Sequence, residues 1–225
     1  MQTELILWDV LPYIALTILV GATIWRYQTR ERSWTTKSSQ FLEKKQLKFA
    51  GPLFHLGLAA VLGGHFGGVI VPKALTEAFG VSEEMYHMGA VMAGIPAGFL
   101  LTGTFVWLLV RRLGNRKLLC ANTSAMDLWL YAFLGLAIFS GLLATLTNDP
   151  GSGFNYRDTV SPWFRSLFML QPDGSLLLDI PFFFKLHMVS WMAVAVVFPF
   201  SRLVHCLSLP LGWLWRSPIL YRRRQ

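Results

Sequence analysis

The sequence has few charged residues: Asp, Glu, Lys and Arg make up 14% of its 225 residues, against about 25% in soluble domains. Hydrophobic residues make up 54% and the mean hydropathy is +0.47. This balance excludes a disordered tail and argues against an ordinary cytosolic enzyme. Cysteine is also scarce, because Cys120 and Cys206 are the only two, which is too few for a disulfide scaffold. The first four residues, Met1-Gln2-Thr3-Glu4, carry no basic group, and we expect no cleaved signal peptide.

Five segments are long and apolar enough to cross the hydrocarbon core of a membrane as helices, which takes about 20 residues each. They run from about Leu5 to Trp25, Phe49 to Pro72, Tyr86 to Val110, Leu128 to Thr147 and Ile180 to Leu207. Helix is predicted because lipid offers no partner to unpaired backbone groups, and the segments lack the alternation of barrel strands. The sequence therefore predicts an all-α, multi-pass membrane protein in which residues 1–225 form a single domain, a bundle of five transmembrane helices.

The net charge of +8 comes from basic residues that lie on one side of the predicted membrane. Sixteen of the 20 Lys and Arg residues fall in the first connection, the third connection and the C-terminal segment. They are Arg26, Arg30, Arg32, Lys37, Lys44, Lys45, Lys48, Arg111, Arg112, Arg116, Lys117, Arg202, Arg216, Arg222, Arg223 and Arg224. Basic residues stay in the cytoplasm, so the N-terminus is expected outside and the C-terminus inside. We expect membrane lipid as a partner and no nucleic acid.

Four of only five histidines lie in or at the ends of predicted spans, namely His55 and His65 on the second and His187 and His205 on the fifth. An ionisable group within a membrane is costly and indicates function by default. A single histidine of this kind would be interpreted as a polar residue that forms a hydrogen bond between helices. Two pairs on two helices favour axial ligation of two b-type haems, because a low-spin haem takes two imidazoles.

The spacing and direction of the helices predict how the histidines pair. His187 and His205 are 18 residues apart, five turns of one helix, so they share a face, whereas His55 and His65 lie about 80° apart. The second and fifth spans run antiparallel. One haem near the cytoplasm would be held by His55 and His205, and one near the outer face by His65 and His187. A metal-ion transporter without haem is the alternative, but it would usually add Asp or Glu within the spans.

Other residues are weaker candidates. Glycines around the second-span histidines, among them Gly64, would let a flat macrocycle approach the backbone, or would serve close helix packing. Arg111, Arg112 and Arg202 lie at the cytoplasmic level and could pair with propionates of the inner haem. As cytoplasmic basic residues they need no further role.

The sequence resembles the gamma subunit of respiratory nitrate reductase, the dihaem cytochrome b anchor, over essentially the whole chain. The similarity is carried by the runs Phe198-Pro199-Phe200-Ser201-Arg202-Leu203-Val204-His205, Leu53-Phe54-His55, Gly64-His65-Phe66, Asp9-Val10-Leu11-Pro12-Tyr13-Ile14-Ala15 and Ser38-Ser39-Gln40. The resemblance implies a bacterial cytoplasmic membrane protein that oxidises quinol near the outer haem. Electrons would pass through the inner haem to an iron–sulfur subunit and a molybdenum-containing catalytic subunit, where nitrate is reduced.

The resemblance also carries residue roles onto this chain. His55, His65, His187 and His205 are implied as haem ligands, and Gly64 with His65 as part of the quinol site. Family members have a lysine just before the third span, where this chain has no lysine near Met85. His87 could substitute as a proton acceptor, because histidine can take up a proton near neutral pH, or it could be a solvated loop histidine without this role. Related dihaem subunits of sulfite or heterodisulfide complexes share the fold, so the fold alone does not name the final acceptor.

Overall fold

The structure, a computed structural model, describes residues 6–30, 33–148 and 154–208, which form helices and loops and contain no strand. Five helices are long and apolar enough to cross a membrane: Ile6–Thr29, Leu47–Ile70, Glu83–Leu113, Ala125–Thr147 and Phe182–Phe200, called here the first to fifth spans. The predicted all-α fold of five spans is confirmed. The predicted sidedness stays a prediction, and Arg32, Arg216 and Arg222–Arg224 lie outside the described residues.

Extensive contact joins the spans in the order second, third, fourth, fifth, first. The second and fifth spans, which carry the histidines, are therefore not neighbours in this order, and each packs on other helices. Gly57 makes the contact between the second and third spans close, because a Cβ atom there would lie 3.0 Å from the backbone nitrogen of Leu101. For Gly57 the packing interpretation of the second-span glycines is the correct one.

The connections divide between two ends of the bundle. The end formed by residues 33–46, 114–124 and 201–208 is called the basic end, and the end formed by residues 71–82 and 154–181 the opposite end. Short helices fill these connections: Lys73–Ala78, Arg116–Asn122, Val160–Phe168 and the 3-10 turn Gly174–Leu177. Side-chain caps start the third and fourth spans: Ser82 accepts from the backbone N–H of Met85, and Ser124 forms a capping box with Asp127.

The opposite end is closed by the helix Val160–Phe168, which packs against the start of the first span. Trp163 is 4% exposed and donates its indole N–H to the carbonyl of Trp8, which is fully buried. The second span ends in a π-helical turn, Phe66–Ile70, and the last carbonyls of a helix have no partner within it. The side chain of Ser161 donates to one of these, the Gly68 carbonyl, at 2.7 Å.

The fifth span is shorter than predicted. Its α-helix covers Phe182–Val197, continues as a 3-10 turn over Phe198–Phe200, and breaks at Ser201, whose backbone is extended. A second 3-10 segment, Arg202–Leu207, carries His205. The prediction of one helix through His205 with both histidines on one face is therefore wrong. Proline is the physical reason, because Pro199 has no N–H to donate and its ring clashes with the carbonyl four residues before it.

Candidate functional site

The structure contains two histidine pairs, and within each pair one ring comes from the second span and the other from the fifth span or the segment after it. The rings of His65 and His187 have centroids 5.7 Å apart and planes 39° apart. Those of His55 and His205, at the basic end, have centroids 6.5 Å apart and planes 75° apart. These are the pairs that helix direction predicts. His205 reaches His55 from the 3-10 segment that follows the break.

Each ring holds its Nδ1 atom against a backbone carbonyl. The acceptor is the Gly51 oxygen for His55 and the Val61 oxygen for His65, both at 2.8 Å and both four residues earlier in the same helix. His205 uses the Arg202 carbonyl at 2.7 Å. A carbonyl can only accept, so each Nδ1 carries the hydrogen and each Nε2 keeps a lone pair. This is the tautomer in which Nε2 can bind a metal.

The two Nε2 atoms of the His65–His187 pair lie 3.4 Å apart. Two nitrogen lone pairs that face each other repel, unless a metal ion lies between them or a hydrogen-bond donor lies beside them. The indole N–H of Trp191 is such a donor, since it donates to His187 Nε2 at 3.1 Å. Two metal–nitrogen bonds of about 2 Å would place the nitrogens about 4 Å apart and the ring centroids roughly 6 Å apart. Both pairs come close to that spacing, so the residues fit a centre with two axial imidazoles.

The remaining ligands of such a centre would have to come with the cofactor. Within the part of the chain that the structure describes, no three His, Cys, Asp or Glu side chains form a group that could hold a metal ion. A haem brings its own four equatorial nitrogens and asks the protein for two axial ligands. The surroundings suit a flat group at Gly64, because a Cβ atom built there would have no neighbour within 4 Å.

The segment that carries His205 is held by two arginines. Arg26, 8% exposed on the first span, donates to the carbonyls of Pro199 at 2.6 Å and Ser201 at 2.7 Å, which lie at the helix break. Arg202 donates to both carboxylate oxygens of Asp127 on the fourth span, at 2.7 and 2.6 Å. The sequence analysis missed Arg26 and Asp127, because their partners are distant in the chain.

The three arginines proposed as propionate partners differ in what they contact. Arg111 is 5% exposed and is engaged by Glu43 and by the hydroxyl of Ser39. The hydrogen bond from Arg111 lowers the pKa of Glu43 below its usual value. Arg202 is engaged by Asp127. Arg112 donates one hydrogen bond to the described part of the chain, to the Asn122 carbonyl at 2.7 Å, so among the three it keeps the most donors for another acceptor.

At the opposite end, the start of the third span holds a network of charges. Arg157 has a side chain 1% exposed, donates to Glu83 at 3.0 Å and lies 3.7 Å from the ring centre of Tyr86. Lys73 lies 3.2 Å from Asp158 and 3.8 Å from Glu83, and the hydrogen bond that it donates to Asp158 raises the pKa of its amine. A lysine therefore does reach the start of the third span, from the preceding connection.

His87, the expected substitute for the family lysine, lies half-buried in the first turns of the third span. Its ring has no polar contact with any other described residue. Gly67 and Gly68, one turn beyond Gly64, approach the hydroxyl of Tyr86, since a Cβ atom at Gly68 would lie 3.2 Å from it. The start of the third span thus lies beside the end of the second span that carries His65.

Five long apolar helices, two histidine pairs and no strand among the described residues define an all-α protein of the multi-pass membrane class. The family model described as nitrate reductase gamma subunit matches residues 4–224, and the chain belongs to this family.

Individual relatives agree with the family match. The nitrate reductase gamma chain of Bacillus subtilis (strain 168) is 44% identical over 219 residues, which cover 97% of this chain and 98% of that protein. The respiratory nitrate reductase 1 gamma chain of Escherichia coli (strain K12) is 32% identical, with 96% of each chain covered. The nitrate reductase-like protein NarX of Mycobacterium tuberculosis is 40% identical over 97% of this chain, but over 34% of its own longer length.

Proposed function

We propose that this chain is the quinol-oxidising cytochrome b subunit of a respiratory nitrate reductase. In this proposal two b-type haems lie between the second and fifth spans, the outer one on His65 and His187 and the inner one on His55 and His205. The observation that carries the proposal is that two histidine pairs, each at the spacing of axial ligands, face each other near opposite ends of the bundle. Membership of the nitrate reductase gamma family supports it.

The bound haems would supply one-electron redox chemistry, and the chain supplies their orientation and spacing. His55 and His65 are ten residues apart in one helix, which sets the two ligands roughly 15 Å apart along the second span. The carbonyl contacts of the Nδ1 atoms hold each imidazole in one tautomer and one orientation.

Quinol is placed at the opposite end, near Gly64, His65 and the start of the third span. Oxidation of one quinol to quinone releases two electrons and two protons, and the protons need acceptors on this side. The Nδ1 atom of His65 is engaged by the Val61 carbonyl, so a second acceptor is needed. His87 is the candidate acceptor, because it is an imidazole without a polar contact among described residues. Lys73 is a cation and cannot accept the proton, but it can orient a quinol oxygen.

The basic end faces the cytoplasm in this proposal, because basic residues stay there. Electrons that reach the inner pair would leave to an iron–sulfur subunit and from it to a molybdenum-containing subunit that reduces nitrate. The described part of the chain is spans and short connections, so nitrate reduction is assigned to these partners. Arg112, with donors to spare, is the arginine best placed for a propionate of the inner haem.

The test is purification of the tagged chain with its complex from native membranes, followed by haem extraction and a dithionite-reduced spectrum. We expect about two b-type haems per chain and co-purification of a large molybdoprotein. His187→Ala should remove the outer haem and keep the inner one, and His55→Ala should do the reverse. Absence of haem from the wild-type complex would refute the proposal. A disulfide-reductase-like partner in place of the molybdoprotein would retain the cytochrome and change the complex.

A further inference from the structure

His187 differs from the other three histidines in what holds its ring. His55, His65 and His205 place Nδ1 on carbonyls of their own helical segments. The Nδ1 atom of His187 instead lies 2.8 Å from the carbonyl of Ala137, on the fourth span. The orientation of this ring is therefore set by a contact between two spans, and its bonding geometry depends on how closely the fourth span approaches the fifth.

The ring lies in a notch on the fourth span formed by Ala137, Ser140 and Gly141, which share one helix face because they are three and four residues apart. The hydroxyl of Ser140 lies 3.5 Å from Nδ1 and is itself 2.6 Å from the Leu136 carbonyl. A Cβ atom at Gly141 would lie 2.7 Å from Cε1 and 2.9 Å from Nδ1 of His187. These distances are shorter than any contact that a real side chain makes, so only glycine leaves room for the ring.

We propose that Gly141 is a positioning residue for the outer haem. By lacking a side chain it lets the fourth span bring the Ala137 carbonyl to Nδ1 of His187, which leaves the Nε2 lone pair directed at His65. The inference rests on the proposed function and adds to it a residue of the fourth span that positions a ligand of the outer haem. Contacts that orient a histidine ligand change metal affinity about 10- to 100-fold when they are lost.

A general packing role does not account for the contact, because other glycines of these spans meet different groups. A Cβ atom at Gly135, also on the fourth span, would lie 3.2 Å from the ring of Phe105, on the third span. At Gly103, on the third span, it would have no neighbour within 4 Å. These two positions provide matched controls: Gly135→Ala disturbs packing of the same helix away from His187, and Gly103→Ala changes the same residue type in open space.

The experiment compares the complex purified with the wild-type chain, Gly141→Ala, Gly135→Ala and Gly103→Ala. We expect Gly141→Ala to lower the haem content from about two to about one per chain. If the outer haem is retained, its low-spin EPR signal and midpoint potential should shift, because both respond to the orientation and basicity of the axial imidazole. The inner haem signal should stay unchanged. Both control variants should keep two haems with wild-type signals.

Unchanged haem content, EPR signal and potential in Gly141→Ala would overturn the inference, and so would an equal loss of the outer haem in Gly135→Ala. A wild-type complex without haem would instead refute the proposed function, so the two failures are distinguishable. If Gly141→Ala fails to accumulate, the double variant Gly141→Ala/His187→Ala decides the matter. It should accumulate as well as His187→Ala alone, since the new methyl group would then have no ring to meet. If the double variant stays depleted, the inference is also overturned.

Discussion

Replacing Asp127 by alanine tests whether an ion pair on the fourth span controls the inner histidine pair. The carboxylate accepts from Nε and Nη2 of Arg202, and its side chain is 5% exposed while that of Arg202 is 12% exposed. Asp127 also accepts the backbone N–H of Ser124 at 2.9 Å, which completes the helix cap. The substitution would therefore leave a mostly buried guanidinium without its counter-charge and remove one half of a capping box.

The expected cost is large for a single substitution. Removing one partner of a buried pair costs about 3–5 kcal/mol. Because Arg202 keeps bonds to the Asn122 carbonyl at 3.1 Å and the Thr36 carbonyl at 3.2 Å, the lower end, about 3 kcal/mol, is expected. The Arg202 carbonyl holds Nδ1 of His205, so a loosened Arg202 also releases the orientation of that ring. The inner haem should be depleted while the outer haem is retained.

The assay is thermal unfolding of the detergent-solubilised complex together with haem quantification. Asp127→Asn serves as the graded control, because it keeps an oxygen acceptor and removes the charge, and it should fall between wild type and alanine. In a double-mutant cycle with Arg202→Ala, the combined loss should be well below the sum of the single losses, as for residues in direct contact. Wild-type melting with two intact haems in Asp127→Ala would show that the pair does not control His205.

Three further predictions follow from contacts at the two ends. Arg26→Gln should lower the content of the inner haem and leave that of the outer haem, because the Pro199 and Ser201 carbonyls lose the guanidinium that donates to them. Reduced-minus-oxidised spectra measure both haems, and an equal loss of the two would contradict this prediction. If His87 accepts a quinol proton, His87→Ala should slow quinol oxidation several-fold. Lys73→Met should mainly raise the KM for quinol. Wild-type kinetics of quinol oxidation in both variants would exclude both residues from the quinol site. The lowered pKa of Glu43 predicts that its bond to Arg111 is kept above pH 4.5, the usual pKa, and is lost as the pH falls through the depressed value. Protease cleavage within residues 33–46 should rise in acid, and Glu43→Gln should remove that pH dependence.

The spans and the histidine pairs could be predicted from the sequence because they depend on local composition and on helix direction. Apolar runs of about 20 residues leave no other fold in lipid, and antiparallel spans bring His55 to His205 and His65 to His187. The break after Val197 was only weakly indicated by Pro199, since proline in a helix either kinks it or ends it. The contact that holds the broken segment comes from Arg26, 173 residues away, which donates to the Pro199 carbonyl, and it could not be predicted from local sequence.

Roles that depend on contacts between distant segments were not predictable. Gly141 is one glycine among 19, and its importance arises only from the ring that lies against it. Arg111 and Arg202 read as cytoplasmic basic residues and as possible propionate partners, but their carboxylate partners, Glu43 and Asp127, lie 68 and 75 residues away. Lys73 was not considered for the quinol site, because its distance in sequence from Met85 hides its approach to Glu83.

The second and fifth spans are not neighbours in the packing order, and this has a consequence for assembly. The second span packs on the third and the fourth on the fifth, and these two pairs of spans meet where the third packs on the fourth. If haems bind as proposed, they add a second connection between the two pairs, on the side where the second and fifth spans are not in extensive contact, much as a zinc ion joins the halves of a small domain. Haem supply during synthesis would then limit how much of this chain reaches its mature form, and cells starved of haem should degrade it.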